Sequence, residues 1–200
     1  MVMQRLEARL LAALDSAGAG SSDFDLNPDF ALPEGRVLRP AGVLVAIDVT
    51  AREPRVMLTK RSSRLKHHPG QIAFAGGKQD PEDVDVIAAA LREAWEEVGL
   101  PHGHARVLGT LPSHETVTGF DVTPVLALIE KQFDYAPETD EVDEVFEVPL
   151  SFLLDEGNYR IEARRWRGHR RHYFTVPWGP YYIWGATARI LRGLAARIGQ

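Results

Sequence analysis

Three glutamates fall within five residues of the chain, in the stretch REAWEEVG at residues 92–99. Side chains three and four residues apart share one face of a helix, so Glu93 and Glu97 would lie together with Glu96 beside them. Like charges at this spacing cost a helix about 0.2–0.5 kcal/mol per pair. Binding of a hard divalent cation would explain why the helix carries these three glutamates, because Mg²⁺ takes oxygen ligands from carboxylates and substrate phosphates. The spacing therefore predicts a metal site, against the alternative of a solvated charged helix face.

The residues before this stretch suit a diphosphate bridged by a metal ion. Gly76 and Gly77 form a turn whose backbone can approach an ion or a phosphate closely, because neither residue carries a Cβ atom. Basic side chains that could neutralise phosphate charge precede the turn. They are Lys60, Arg61, Arg64 and Lys66.

A helix over residues 84–98 is predicted to carry the carboxylates. Its apolar positions recur at intervals of three and four and would face the core. They are Val84, Ile87, Leu91, Ala94, Trp95 and Val98. All three carboxylates are then expected to point away from the core, with one Arg92–Glu96 ion pair offsetting part of their repulsion. Gly99 suits the left-handed position that follows a last helical turn.

The remaining pattern predicts an α/β protein of the α+β or mixed type, since strands and a few helices occur without regular βαβ alternation. Strands are expected at 42–49, 55–60, 71–77, 105–111 and 121–130, and helices at 3–15, 149–155 and 183–198. A hairpin is expected around Gly168, and Pro124 places its strand at an edge or bulge. A length of 200 residues suits one domain, 1–200, with an N-terminal helix and loop at 1–20 and a core at 42–200.

Composition excludes several classes of protein. The chain has no cysteine, so any metal is held by oxygen or imidazole. A net charge of -5 argues against a mainly nucleic-acid-binding surface. No stretch approaches the ~18–20 apolar residues of a membrane span, and the N-terminal run LLAAL is shorter than the about 7–15 apolar residues of a secretory signal. We expect a soluble, cytoplasmic protein.

The densest basic cluster, RRWRGHRRH at residues 164–172, allows two interpretations. Arginines next to Trp166 and Tyr173 could stack on RNA bases. The acidic net charge favours instead a solvated hairpin whose arginines pair with the acidic segment 138–147.

Residues 92–100 resemble the second half of the Nudix box, G-x5-E-x7-R-E-U-x-E-E-x-G-U, where U is an aliphatic residue. The first half departs from it, because the glycine position falls on Lys78 and the glutamate position on Val84. The nearest counterparts, Gly77 and Asp83, imply one extra residue in the loop.

This departure resembles the coenzyme A diphosphatase branch of the Nudix hydrolases, whose loop reads G-G-x-x-D-x-x-D. Residues 58–77 are also similar to that branch's L-L-T-x-R-S…H-x-G-Q-x-x-F-P-G-G, with Ala75 in place of the usual proline. Stretches 116–129, 140–150 and 181–191 resemble it too. The resemblance therefore extends from about residue 42 to the C-terminus.

The resemblance implies a Nudix α/β/α sandwich with a mixed sheet, and Mg²⁺ or Mn²⁺ as cofactor. It implies hydrolysis of the diphosphate bond of coenzyme A (CoA) or acyl-CoA to 3′,5′-ADP and 4′-phosphopantetheine or its acylated form. Two alternatives stay open: hydrolysis of another nucleoside diphosphate derivative or a nucleoside triphosphate, and a catalytically silent nucleotide-binding module. The expected partner is a small-molecule nucleotide, with no nucleic acid and no membrane, and a homodimer is possible by analogy.

The resemblance also implies roles for single residues. The metal ligands would be Glu93, Glu96, Glu97 and a carbonyl of Gly76 or Gly77, with Arg92 orienting a glutamate. The general base is left open between a glutamate of the box and Glu141 or Glu144. The candidates for binding the substrate are Lys60, Arg61, His68, Gln71, Gly76 and Gly77. For the four side chains among them, the alternative is a surface or turn residue without a binding role.

Overall fold

The computed structural model describes residues 2–16, 18–29, 35–166 and 168–199; residues 1, 17, 30–34, 167 and 200 lie outside this description. Its helices are α1 (Val2–Asp15), α2 (Val86–Val98), α3 (Leu150–Leu153) and α4 (Gly185–Ile198), with a 3₁₀ turn at Glu156–Asn158. Its strands are β1 (Ser21–Ser22), β2 (Arg39–Asp48), β3 (Arg55–Arg61), β4 (Ile72–Ala73), β5 (Gly76–Lys78), β6 (Ala105–Thr110), β7 (His114–Glu115), β8 (Phe120–Ile129), β9 (Val142–Pro149), β10 (Arg160–Trp166) and β11 (His169–Thr175). The predicted helices and strands occur in these places, but the strand predicted at 71–77 is divided into β4 and β5.

A mixed sheet built from β1 to β9 forms the middle layer. Its strand β2 runs parallel to β8 along its whole length. On its other edge, β2 pairs with β3 only at Ile47 and Asp48, and with β5 from Ala41 to Val43. The edge of β2 is therefore shared between two partners, and α2 packs against β2 and β5. This arrangement places the glycine turn of β5 next to the carboxylate helix.

Helices cover both faces of the sheet, because β2 alternates its side chains between two apolar clusters. Leu44 and Ala46 belong to the cluster on the α2 side. Val45 and Ile47 belong to the cluster that includes side chains of α1 and α4. The predicted α/β/α sandwich with a mixed sheet is confirmed. Strands β10 and β11 form a separate antiparallel hairpin, as predicted, and β11 packs on α4.

Pro124 lies in an interior strand, so the edge position, one of the two alternatives predicted for it, is wrong. Strand β8 pairs with β2 on one side and with β6 and then β7 on the other. The carbonyl of Pro124 accepts a hydrogen bond from Leu111 N at 2.9 Å, where β6 has ended and β7 has not begun. The missing N–H of the proline faces this break, so no bond between strands is lost.

Helix α2 is fixed at both ends. The side chain of Asp85 accepts a hydrogen bond from Ala88 N at 2.8 Å and starts the helix. Val84 therefore precedes the helix and is exposed, contrary to its predicted place on the core-facing stripe. Gly99 has φ 73°, the left-handed conformation that was predicted, and its N–H caps the last turn.

In the described part of the chain, none of the helices combines the length and the apolar character needed to cross a bilayer.

Candidate active site

Three carboxylates converge where α2 meets β5. Oxygens of Glu93, Glu97 and Glu141 lie within 4.8 Å of one another, and we call these residues the carboxylate cluster. Glu97 is only 3% exposed, whereas Glu141, in the turn before β9, is exposed. The expectation that all three carboxylates of α2 point away from the core is therefore wrong for Glu97. Its side chain is drawn inward because the backbone of β5 offers it a hydrogen bond.

The buried Glu97 has two stabilising neighbours. Its Oε2 accepts a hydrogen bond from Gly76 N at 3.0 Å, and Arg61 Nη1 lies 3.8 Å from its Oε1. Burial nevertheless raises the pKa of Glu97 to about 7, and the nearby carboxylates of Glu93 and Glu141 act in the same direction. The ionised side chain is thus short of positive charge in this structure.

Glu93 is held in a comparable environment. Burial raises its pKa, although Arg92 Nη1 donates a hydrogen bond to its Oε1 at 3.0 Å. A Cβ atom at Gly77 would lie 2.5 Å from the same oxygen, so the glycine leaves the space that this carboxylate fills. Two carboxylates with raised pKa values and a third at close range fit a hard divalent cation such as Mg²⁺ or Mn²⁺. A ligand role for the carbonyl of Gly76 or Gly77 stays a prediction.

Arg92 ties the carboxylate helix to the loop before it. Its Nε and Nη2 donate to the two oxygens of Asp83 at 3.0 and 2.9 Å, and Asp80 Oδ2 lies 3.7 Å from Nη2. Its Nη1 donates to Glu93 and to Glu96, each at 3.0 Å. The hydrogen bonds to Asp83 are the main cause of a raised Arg92 pKa. Asp80 and Asp83 are the aspartates of the G-G-x-x-D-x-x-D pattern, so this pattern holds Arg92.

Two of the predicted glutamates lie outside the carboxylate cluster. The carboxylate of Glu96 is exposed and pairs with Arg92, as the spacing predicts. Glu144 lies on β9 opposite Lys60 of β3, and its carboxylate accepts a hydrogen bond from Tyr181 Oη at 2.5 Å. Of the two loop candidates for the general base, the structure thus brings Glu141 to the cluster.

Most of the predicted substrate-binding residues line a cavity of about 240 Å³ beside the cluster, which we call the inner cavity. Its walls include Arg61, His68, Gln71 and Gly76. Arg61 Nε is buried and finds no hydrogen-bond partner within the described residues. Lys60 lines a second, outer cavity of about 650 Å³, which shares His68 and Gln71 with the first. A buried, unsatisfied guanidinium nitrogen at the wall suits an anionic ligand.

Sequence reasoning did not assign Arg164 and Trp184 to the site, yet both line the two cavities. The Arg164 guanidinium lies over the Trp184 ring, 4.2 Å from its centroid, and Arg171 pairs with Asp23 at 3.0 Å. The Arg164 contact does not involve the acidic segment 138–147, so the pairing expected for the arginines of this hairpin is wrong for Arg164. The cluster of basic residues at 164–172 is the sequence feature that could have indicated a role of this hairpin in the site. The contacts of its arginines depend on the fold and could not be predicted from that cluster. The Trp166 side chain lies outside the described residues.

The metal-free protein should lose stability as the pH rises from about 5 to about 8. Glu97 keeps its proton up to a pKa of about 7 when folded, but only up to its ordinary 4.5 when unfolded. Its contribution to stability is therefore complete below pH 4.5 and lost as the pH passes 7, a difference of about 3 kcal/mol. Thermal unfolding in a chelator at the two pH values measures it.

Mg²⁺ supplies the matching control, because it binds the ionised carboxylate. Added Mg²⁺ should raise the Tm more at pH 8 than at pH 5, and Glu97→Gln should remove most of both effects. Equal responses to Mg²⁺ at the two pH values would contradict the assignment of Glu97.

Comparisons of the sequence and of the fold with known proteins agree on one family. The model of the NUDIX domain matches residues 38–170. An uncharacterized Nudix hydrolase, NudL, from Citrobacter koseri is 45% identical over 161 residues, which cover 80% of this chain and 83% of the relative. The uncharacterized Nudix hydrolase NudL from Klebsiella pneumoniae is 42% identical over 189 residues, which cover 89% of this chain and 98% of the relative. The crystal structure of a NUDIX hydrolase from Alicyclobacillus acidocaldarius is similar in fold, with 19% identity, a TM-score of 0.50, and coverage of 60% of this chain and 82% of that chain.

Proposed function

The chain belongs to the Nudix family, whose hydrolases act on diphosphate bonds, and we propose that its substrate is coenzyme A or an acyl-CoA. Attack of water on the diphosphate would give 3′,5′-ADP and 4′-phosphopantetheine, or the acylated form of the latter. The reaction would require Mg²⁺ or Mn²⁺.

The location of the stretches that resemble the coenzyme A branch carries this proposal. Stretches 58–77, 116–129 and 181–191 are far apart in the sequence, yet all three contribute to the walls of the inner cavity. Their contributions include Arg61, His68, Gln71, Thr116, Thr118, Trp184 and Thr187. The general Nudix motif contributes Glu97, which contacts Arg61 and Gly76 of this wall, and Glu93 beside it. This division supports a site in which the helix carries the chemistry and the branch-specific stretches choose the substrate.

Glu93 and Glu97 would hold the metal ion, with Glu141 as the third carboxylate of the cluster beside it. A bound divalent ion polarises phosphoryl oxygens and lowers the pKa of coordinated water. The protein fixes the ligands beforehand, since the Gly76 N–H holds Glu97 and Arg92 holds Glu93. Phosphoryl transfer depends mainly on such positioning and on charge neutralisation.

Two further side chains have roles at the diphosphate. Arg61 lies between Glu97 and the inner cavity, where its guanidinium would bind a diphosphate oxygen. Glu141 is the exposed member of the carboxylate cluster and the better placed loop candidate for the general base, because Glu144 is engaged by Tyr181.

The test is incubation with CoA and either Mg²⁺ or Mn²⁺, followed by chromatographic separation of the products. The proposal predicts 3′,5′-ADP and 4′-phosphopantetheine in equal amounts, and no product in chelator. Absence of 3′,5′-ADP with both metals would exclude CoA as the substrate.

A parallel panel of other nucleoside diphosphate derivatives and nucleoside triphosphates separates the alternatives. Faster turnover of one of these compounds than of CoA would assign the chain to another branch of the family. Metal-dependent nucleotide binding without any turnover would identify a silent binding module.

A further inference from the structure

Arg164 lies on the wall that the inner and outer cavities share. The two cavities have His68, Gln71, Ile72, Arg164 and Trp184 in common. The guanidinium of Arg164 lies over the indole of Trp184, 4.2 Å from its centroid, and Tyr173 contacts that indole edge-on with ring centroids 5.2 Å apart. A long, flexible side chain is thereby kept in one place at the cavity wall.

Several basic side chains gather at this wall. Burial lowers the pKa of His68, and the charges of Arg61, His67 and Arg164 lower it further. The carboxylates that line the two cavities are already engaged. Asp23 forms an ion pair with Arg171 Nη2 at 3.0 Å and accepts a hydrogen bond from Val117 N at 2.9 Å, and Glu144 accepts one from Tyr181. Among the described residues, Arg164 is left with an aromatic partner and no ion pair.

The inner cavity is lined by two arginines with different surroundings, Arg61 and Arg164. Arg61 and Gly76 lie next to the buried Glu97, and this part of the wall would take the diphosphate that is cleaved. Arg164 and Trp184 lie elsewhere on the wall of the same cavity. A guanidinium in this position matches an anion that is part of the same ligand but takes no part in the reaction.

We propose that Arg164 binds a phosphate monoester of the substrate, separate from the diphosphate that is hydrolysed. This assignment rests on the proposed function, because CoA carries such a group as its 3′-phosphate and dephospho-CoA lacks only that group. Arg164 is then a specificity-determining residue, which selects phosphorylated nucleoside diphosphates over their dephosphorylated counterparts.

The test compares kcat/KM for CoA with kcat/KM for dephospho-CoA. In the unmodified protein this ratio should favour CoA. In Arg164→Gln it should fall about tenfold or more, the worth of one charge-assisted hydrogen bond to an anion. Arg164→Lys should recover part of the ratio, since it keeps the charge without the planar fork.

Arg165→Gln is the matched control, because Arg165 is the next residue of β10, is exposed and lines neither cavity. It removes the same charge from the hairpin and should keep the ratio of the unmodified protein. Inhibition by 3′,5′-ADP relative to AMP reports the same preference without the chemical step.

The outcomes separate this inference from the proposed function. Turnover of both coenzymes with a ratio that falls in neither variant, or equally in both, would overturn the role of Arg164 and leave the proposed function standing. Turnover of neither coenzyme would overturn the proposed function and this inference with it.

Discussion

Replacing Glu97 by glutamine should lower kcat/KM about a thousandfold or more while the protein stays folded. Glutamine keeps the size of the side chain and an oxygen that can accept the hydrogen bond of Gly76 N. It removes the negative charge that would hold the metal ion. Metal ions supply several kcal/mol of transition-state stabilisation, and about 4 kcal/mol corresponds to a thousandfold in rate.

The fold of this variant can be checked by its stability. Because Glu97 is buried and its pKa is raised, the metal-free Glu97→Gln protein should be no less stable than the unmodified protein at about pH 8. A loss of activity in a protein with an equal or higher Tm then reports on the site alone. Full activity in this variant would remove Glu97 from the metal site.

Glu96→Gln provides the matched comparison on the same helix. The resemblance to the Nudix box gives Glu96 a ligand role, but its exposed carboxylate pairs with Arg92 outside the carboxylate cluster. We expect a loss of about tenfold, the lower end of what partners of metal ligands cost, because Glu96 acts on the cluster through Arg92. A loss as large as that of Glu97→Gln would show that Glu96 reaches the metal in the loaded enzyme.

Arg92→Met should lower kcat/KM about a hundredfold and also lower the Tm. The substitution leaves Glu93 without its hydrogen bond and the buried carboxylate of Asp83 without its two-pronged partner. The glycine turn and the following loop would then lose their attachment to α2. Partners that orient metal ligands typically contribute about 10–100-fold to affinity or activity.

Arg92→Lys tests whether the shape of the guanidinium matters besides its charge. A lysine ammonium cannot donate to Asp83 through two nitrogens while a third bonds to Glu93, so most of the loss should remain. Titration with Mg²⁺ locates the defect, because misplaced ligands should raise the Mg²⁺ concentration needed for half-maximal rate. A lysine variant with the activity of the unmodified protein would reduce the role of Arg92 to its charge.

The features that depend on the spacing of residues within one segment could be predicted from the sequence. The distance of four residues puts Glu93 and Glu97 on one side of a helix wherever that helix lies, and Gly99 ends the helix by its own backbone preference. The Arg92–Glu96 pair follows from the same spacing and is confirmed. The uninterrupted apolar run of β2, from Val43 to Ile47, likewise requires cover on both faces of the sheet.

Features that depend on how distant segments meet could not be predicted in this way. Glu97 is buried because β5, which pairs with β2, also packs against α2. This contact joins segments that are distant in the sequence, so no local sequence pattern predicts it. That Glu141 rather than Glu144 lies in the carboxylate cluster depends on the pairing of β9 with β3, where Glu144 lies opposite Lys60 and the register shifts before Arg61.

Arg61 serves the carboxylate cluster and the inner cavity at once, and this sharing has an energetic consequence. Its guanidinium faces Glu97 on one side and the space for the substrate on the other. A cation that neutralises Glu97 would free Arg61 for an incoming phosphate, and a phosphate that takes Arg61 would leave Glu97 free for a cation. Metal and nucleotide should therefore bind with positive cooperativity, each raising the affinity for the other by the same factor.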